Sequence, residues 1–185
     1  LLARLYSLQE KHAESVKILE NTVRNFPKEE ETYSLLSSEY IFIKRYNEAI
    51  GVMQGLLKAS PEAMVAYYYL GMIYGSYLRQ YDKALMMYQK IMETDPENLQ
   101  IQAAIGQAYL DKRDLKRALV KLLEMEEMAP DDVTIQLKIA LIYYEQGNNA
   151  KAAEKFEKIL KSNPESDKIL YYLGIIYVEA KDMEQ

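Results

Sequence analysis

The single histidine of this 185-residue chain, His12, is the only side chain whose ordinary pKa lies near neutrality. To act as a general base it would need a nucleophile and an orienting partner, and no serine, lysine or carboxylate recurs beside it in a spacing that builds a triad. It is expected instead to pack over a turn between helices. Asp131–Asp132 and Glu126–Glu127 carry the charge that a hard cation needs. Adjacent residues at a helix end diverge in direction, so both pairs read as solvated surface. Cysteine is absent, which removes thiol nucleophiles, disulfides and thiolate metal sites. One histidine is too few for an imidazole zinc site. Lys112, Arg113, Lys116, Arg117 and Lys121 form a basic run at helical spacing, but the chain as a whole carries a net charge of −5. That balance argues against nucleic acid or an anionic membrane as the main partner, and the run reads as an ordinary charged face. The residue types therefore predict no enzyme, no catalytic residue, no metal and no cofactor.

The chemistry in excess is that of recognition, since 17 residues are tyrosine. Tyrosine offers a large flat contact area with a polar tip. Six of them, Tyr6, Tyr40, Tyr74, Tyr109, Tyr143 and Tyr177, follow one another at spacings of 34, 34, 35, 34 and 34. The five prolines, Pro27, Pro61, Pro96, Pro130 and Pro164, keep the same step, at 34, 35, 34 and 34. Three residues before each tyrosine stands a small residue: Ala3, Ser37, Gly71, Gly106, Ala140 and Gly174. A second small residue precedes each proline by twelve, at Ser15, Ala49, Ala84, Ala118 and Ala152. It is followed four residues later by Leu19, Met53, Tyr88, Leu122 and Phe156. These offsets mark one face on each of two helices per unit, with a large side chain set beside a small one. The single extra residue of the third unit is expected in the turn 75–81, since loops absorb insertions more readily than helices. Ser60, Asp95 and Asn163, each just before a proline, are expected to cap the helices that follow.

This pattern resembles the tetratricopeptide repeat, whose signature couples an aromatic, a Leu-Gly pair and a tyrosine to a later alanine, an aromatic and a closing proline. The leading tryptophan of the signature is replaced by Tyr33, Tyr67, Gln102, Gln136 and Leu170. The resemblance implies an all-α fold, a right-handed α-solenoid of stacked antiparallel helix pairs with about five and a half repeats. A single domain over 1–185 is expected, with units near 1–29, 30–63, 64–98, 99–132, 133–166 and 167–185. It reads as a piece of a longer array, whose last helix turns Leu170, Leu173, Ile176 and Tyr177 toward a missing neighbour. The longest uncharged run, Ala63 to Leu78, holds 16 residues, five of them tyrosine, and is short of a membrane span. No membrane insertion and no targeting segment are expected, and a soluble, cytoplasmic setting is favoured.

In arrays of this family the stripe beside the packing face of each first helix lines a concave groove. By the 100° step of a helix that stripe holds Tyr68 and Met72, then Ala103 and Gln107, then Leu137, Leu141 and Tyr144, then Tyr171 and Ile175. Ser34, Ser38 and Ile41 occupy the second unit, and Tyr69 and Tyr172 flank the stripe. The basic and amide residues with which some family members clamp acidic chaperone tails are missing, so no clamp of that kind is expected. The surplus of tyrosine and methionine points to a protein scaffold or adapter that binds a partner's peptide or helix through apolar anchors. The alternatives are a scaffold that self-associates through the C-terminal helix, and a module that recruits substrates for a larger enzyme. The register itself is testable: Ala84→Leu is expected to cost about 1–3 kcal/mol by overpacking, measured as a lowered melting temperature.

Overall fold

A computed structural model describes residues 1–182, and among them there are only helices and turns. In chain order the helices are α1 (Leu2–Leu8), α2 (His12–Asn25), α3 (Glu30–Phe42), α4 (Tyr46–Ala59), α5 (Met64–Met72), α6 (Tyr81–Met92), α7 (Leu99–Asp111), α8 (Leu115–Met128), α9 (Val133–Glu145), α10 (Asn149–Ser162) and α11 (Asp167–Asp182). The chain divides into two compact units, Leu1–Ala104 and Ile105–Gln185. In the first, consecutive antiparallel helices from α1 to α6 pack in sequence, and in the second α8, α9, α10 and α11 do the same.

What brings the two helices of a pair together is the near absence of a side chain at their crossing. Ser15, Ala49, Ala84, Ala118 and Ala152 are completely buried, and Leu19, Met53, Tyr88, Leu122 and Phe156, one turn on, are at most 5% exposed. Gly71 meets the ring of Tyr88 so closely that any Cβ there would collide with it. The sequence register for the packing faces therefore holds. The core of the first unit gathers Leu36, Tyr40, Met53, Leu56 and Leu70, and that of the second Leu122, Ile139, Phe156 and Ile159.

The turn inside each pair is closed by one recurring device. Glu10, Lys44, Arg79, Arg113 and Gly147 all adopt φ between 54° and 72°, the left-handed conformation that ends a helix. The carbonyl of the repeated tyrosine then accepts an N–H five residues on, as in Lys11 to Tyr6 at 2.9 Å, Arg45 to Tyr40 at 2.7 Å, Asp114 to Tyr109 at 2.9 Å and Asn148 to Tyr143 at 2.8 Å. A cation from the second helix or its start covers the same tyrosine ring, with Arg45 4.9 Å from the centroid of Tyr40, Lys83 5.2 Å from Tyr74, Arg117 4.9 Å from Tyr109 and Lys151 5.3 Å from Tyr143.

The third pair departs from this in a way the sequence reading placed wrongly. The extra residue does not lengthen the turn. It is taken up within the first helix as a π-turn, Ile73–Tyr77, where Leu78 N–H bonds to the Ile73 carbonyl at 3.1 Å and Gln80 reaches back six residues to Tyr74 at 2.7 Å. A wider helical turn accommodates one residue without moving the tyrosine or the left-handed position away from their partners.

The junctions between pairs carry a second tie. At three of the junctions the residue standing at the tryptophan position donates its side-chain proton to the carbonyl of the proline six residues earlier: Tyr67 to Pro61 at 3.1 Å, Gln102 to Pro96 at 2.8 Å, and Gln136 to Pro130. Leu170 has no proton to give and is 48% exposed. The expected caps before the prolines are corrected here. Ser60 and Asn163 end the preceding helices with φ of −144° and −141°, outside the helical region, and α5 follows Ala63, which gives it no side-chain cap. The capping oxygens come later, from Asn98 onto Ile101 N–H and from Asp132 onto Thr134 and Ile135 N–H, because proline holds the residue before it out of the helical region. On α11, Leu173 and Ile176 are buried in their own unit rather than turned outward, whereas Tyr177 is 52% exposed.

Two glycines test the turn against the helix. Gly147 has open space but φ of 72°, and Gly51 lies within α4 with open space around it. Gly147→Ala is expected to cost about 1 kcal/mol through strain. Gly51→Ala should gain about 1 kcal/mol of helix propensity. Urea denaturation midpoints should therefore move in opposite directions.

Candidate functional site

Tyr68 and Met72 are one helical turn apart on α5 and open onto a single cavity of about 550 Å³ within the first unit. Its other walls come from Ser38, Ile41 and Phe42 at the end of α3, Lys44 in the turn, Tyr46 at the start of α4, and Tyr69 and Tyr77. Tyr46 and Tyr77 stack at 5.0 Å, and Tyr68 meets Tyr69 edge to face at 5.8 Å. Two of the hydroxyls are hydrogen-bonded: Ser38 Oγ and Tyr69 OH are 3.1 Å apart, and Gln100 donates to Tyr68 OH at 3.1 Å. Phe42 is 67% exposed at the rim.

Helical counting found Tyr68 and Met72 but not Phe42, Lys44, Tyr46 or Tyr77. Tyr77 reaches this cavity through the π-turn. Counted back from the left-handed residue, it stands where Phe42 stands one repeat earlier, whereas an uninterrupted helix would have put Ser76 there. The available signal was the 35-residue step between Phe42 and Tyr77.

In the second unit the expected residues lie differently. Leu137, Leu141 and Tyr144 are half-buried against the core. The Tyr144 ring is 5.2 Å from that of Tyr172, which stacks on Phe156 at 5.3 Å. Tyr171 is 65% exposed beside Tyr172, Ile175 is half-buried, and Gln107 is exposed, held by Lys138 at 3.0 Å. Ala103, in the first unit, is exposed on α7.

His12 packs as expected, with its ring 4.2 Å from Phe42, and Nδ1 lies 2.8 Å from Glu39 Oε2. Glu126 is corrected: it is half-buried and pairs with Lys155 at 2.5 Å rather than lying on solvated surface. Members of the basic run find acids nearby, Arg113 with Glu145 at 3.1 Å and Arg117 with Asp114 at 2.5 Å. Hydrogen bonding from Arg117 holds the Asp114 carboxyl below its usual range. Burial, then the neighbouring Glu20 carboxylate, pushes Tyr40 up to about 12. Burial, then the proximity of Tyr68, does the same to Tyr88.

Sequence profiles of the tetratricopeptide repeat match residues 65–98 and 137–185. Both stretches are thus tetratricopeptide repeats. A curated relative, anaphase-promoting complex subunit 3 of Schizosaccharomyces pombe, is 28% identical over 119 residues, 64% of this chain and 18% of that protein. The chain thus spans under a fifth of the relative's length. Among solved structures, crystalline MamA is 17% identical with a TM-score of 0.75, covering 91% of this chain and 98% of that one. YrrB, described as a TPR protein with an unusual peptide-binding site, is 18% identical with a TM-score of 0.69, over 88% and 84%. These likenesses establish the tetratricopeptide fold. Among the described residues no helix is long and apolar enough to cross a membrane.

The raised tyrosines give a signed pH dependence. A folded pKa of about 12 against an ordinary value of 10 leaves the contribution of Tyr88 intact below pH 10 and removes it as the pH climbs toward 12. Urea midpoints at about pH 9 and about pH 11 are expected to fall further apart for the wild type than for Tyr88→Phe.

Proposed function

We propose that this chain is a non-catalytic interaction scaffold whose first helices hold a peptide or helix of a partner protein against an apolar, tyrosine-rich face. The observation that carries the reading is the cavity around Tyr68 and Met72, where five aromatic rings, two of them held by hydrogen bonds at their hydroxyls, form the wall of an open space. Such a wall gives large contact area at little cost in side-chain entropy. The contact set is Tyr68, Met72 and Ala103 in the first unit, and Gln107, Leu137, Leu141, Tyr144, Tyr171 and Ile175 in the second. The family supports the class of function, and the peptide-binding site named for YrrB supports the type of ligand. A role within a larger assembly, or in bringing substrates to an enzyme, is compatible with the likeness to one subunit of the anaphase-promoting complex.

A second reading, self-association through α11, is favoured by Leu170, Tyr171, Tyr177 and Val178, each 48% exposed or more. A molecular mass that stays monomeric at every concentration in sedimentation would remove it.

The groove is tested by Tyr68→Glu combined with Leu141→Glu, each burying a charge at an apolar contact. The double variant, shown folded by circular dichroism, should bind the partner at least tenfold more weakly. Wild-type affinity in that variant would sink the proposal.

A further inference from the structure

Five aromatic rings and one methionine surround the cavity of the first unit, and only one ionised side chain, Lys44, lines it. Lys44 is in the left-handed turn conformation, φ 61°, and is exposed. No acid pairs with it among the described residues. One repeat later the equivalent turn residue is Arg79, φ 54°, also exposed and without an ion pair among the described residues. Arg45 differs: its guanidinium lies 2.8 Å from Glu48 and 4.9 Å from the Tyr40 centroid, so its charge is already engaged.

On the other side of Phe42 the sign reverses. Phe42 and Ser38 also line a second hollow of about 420 Å³ that holds Glu10, the turn residue of the first repeat, and Glu39, paired with His12. The ring of Phe42 thus separates an acid-lined hollow from an aromatic one with an unpaired ammonium at its edge. The first helices that lead into these two turns, α3 and α5, are in contact, and packed helices lie about 8–10 Å apart, the length of about three residues of extended chain.

We infer that this cavity takes an apolar anchor residue of a partner peptide that carries aspartate or glutamate side chains within three residues of the anchor, seated on Lys44 and Arg79. The inference rests on the groove reading above and narrows it to an acidic peptide. The acids lie on the side away from Glu10 and Glu39, which repel them. A polyanionic nucleic acid is the weaker candidate because the chain carries net charge −5 and the acidic hollow adjoins the site.

The test uses a random 12-residue peptide library displayed on phage and selected on the 185-residue chain. The enriched consensus is expected to hold a large apolar residue with Asp or Glu within three positions. The synthetic consensus peptide should bind about tenfold more weakly to Lys44→Glu with Arg79→Glu, and more weakly in about 500 mM than in about 50 mM salt. It should bind normally to the surface control Lys28→Glu. Loss in Tyr68→Glu with Met72→Glu but wild-type affinity in the Lys44, Arg79 variant would overturn this inference and leave the groove reading standing. Wild-type affinity in the Tyr68, Met72 variant, or no enriched peptide, would overturn both. Tight binding of an oligothymidine probe, lost with Lys44 and Arg79, would assign the edge to nucleic acid instead.

Discussion

Two helices can run side by side at close range only if something small stands at their crossing. Here that place is held by Ser15, Ala49, Ala84, Ala118 and Ala152, none with measurable exposure. The bulk removed from one helix is restored a turn later by a large side chain, so the interior keeps normal density while the backbones approach. The close approach is what lets the turn be short. A short turn in turn requires a residue in the left-handed conformation, and four of the five residues that adopt it are not glycine. The protein accepts that strain because the tyrosine carbonyl and the N–H beyond the turn are joined by a hydrogen bond that would otherwise be lost.

The tyrosines consequently fall into two populations. Tyr40, Tyr74, Tyr109 and Tyr143 serve the architecture, each lying under a cation, and the Tyr40 hydroxyl also reaches Glu20 at 2.5 Å. Tyr46, Tyr68, Tyr69 and Tyr77 bound an open space instead. Chemically identical side chains are assigned to structure or to display by whether a neighbour already covers the ring. In the second unit, Tyr144 and Tyr172 are spent largely on each other and on Phe156.

Much of this was readable from spacing alone. The period, the helix pairs, the small-against-large crossings and the Tyr68–Met72 stripe all follow from residue type at fixed offsets, because packing faces impose their periodicity directly. The misplaced features share a different cause. The insertion near Tyr77 was visible, but a chain can widen a helical turn as readily as lengthen a loop, and the sequence is the same for both. Ser60 and Asn163 looked like caps because their type fits; the following proline decides their conformation. Glu126 looked solvated because its partner, Lys155, is 29 residues away on another helix. Phe42 and Lys44 escaped a count made along one helix because the site also uses the turn.

The tie between Gln102 or Gln136 and the proline carbonyl six residues earlier links the start of each first helix to the loop that precedes it. Both amides are nearly inaccessible to solvent, and each therefore acts as a hinge pin: the loop cannot swing without leaving a buried donor bare. Leu170, which has no proton to donate, breaks the series, so the entry to α11 lacks this side-chain tie and keeps the backbone bonds of Ser166 to Asn163 and Ile169 to Ser166. A single side-chain position thus decides whether a joint is tied, as at Gln102 and Gln136, or left without that tie, as at Leu170.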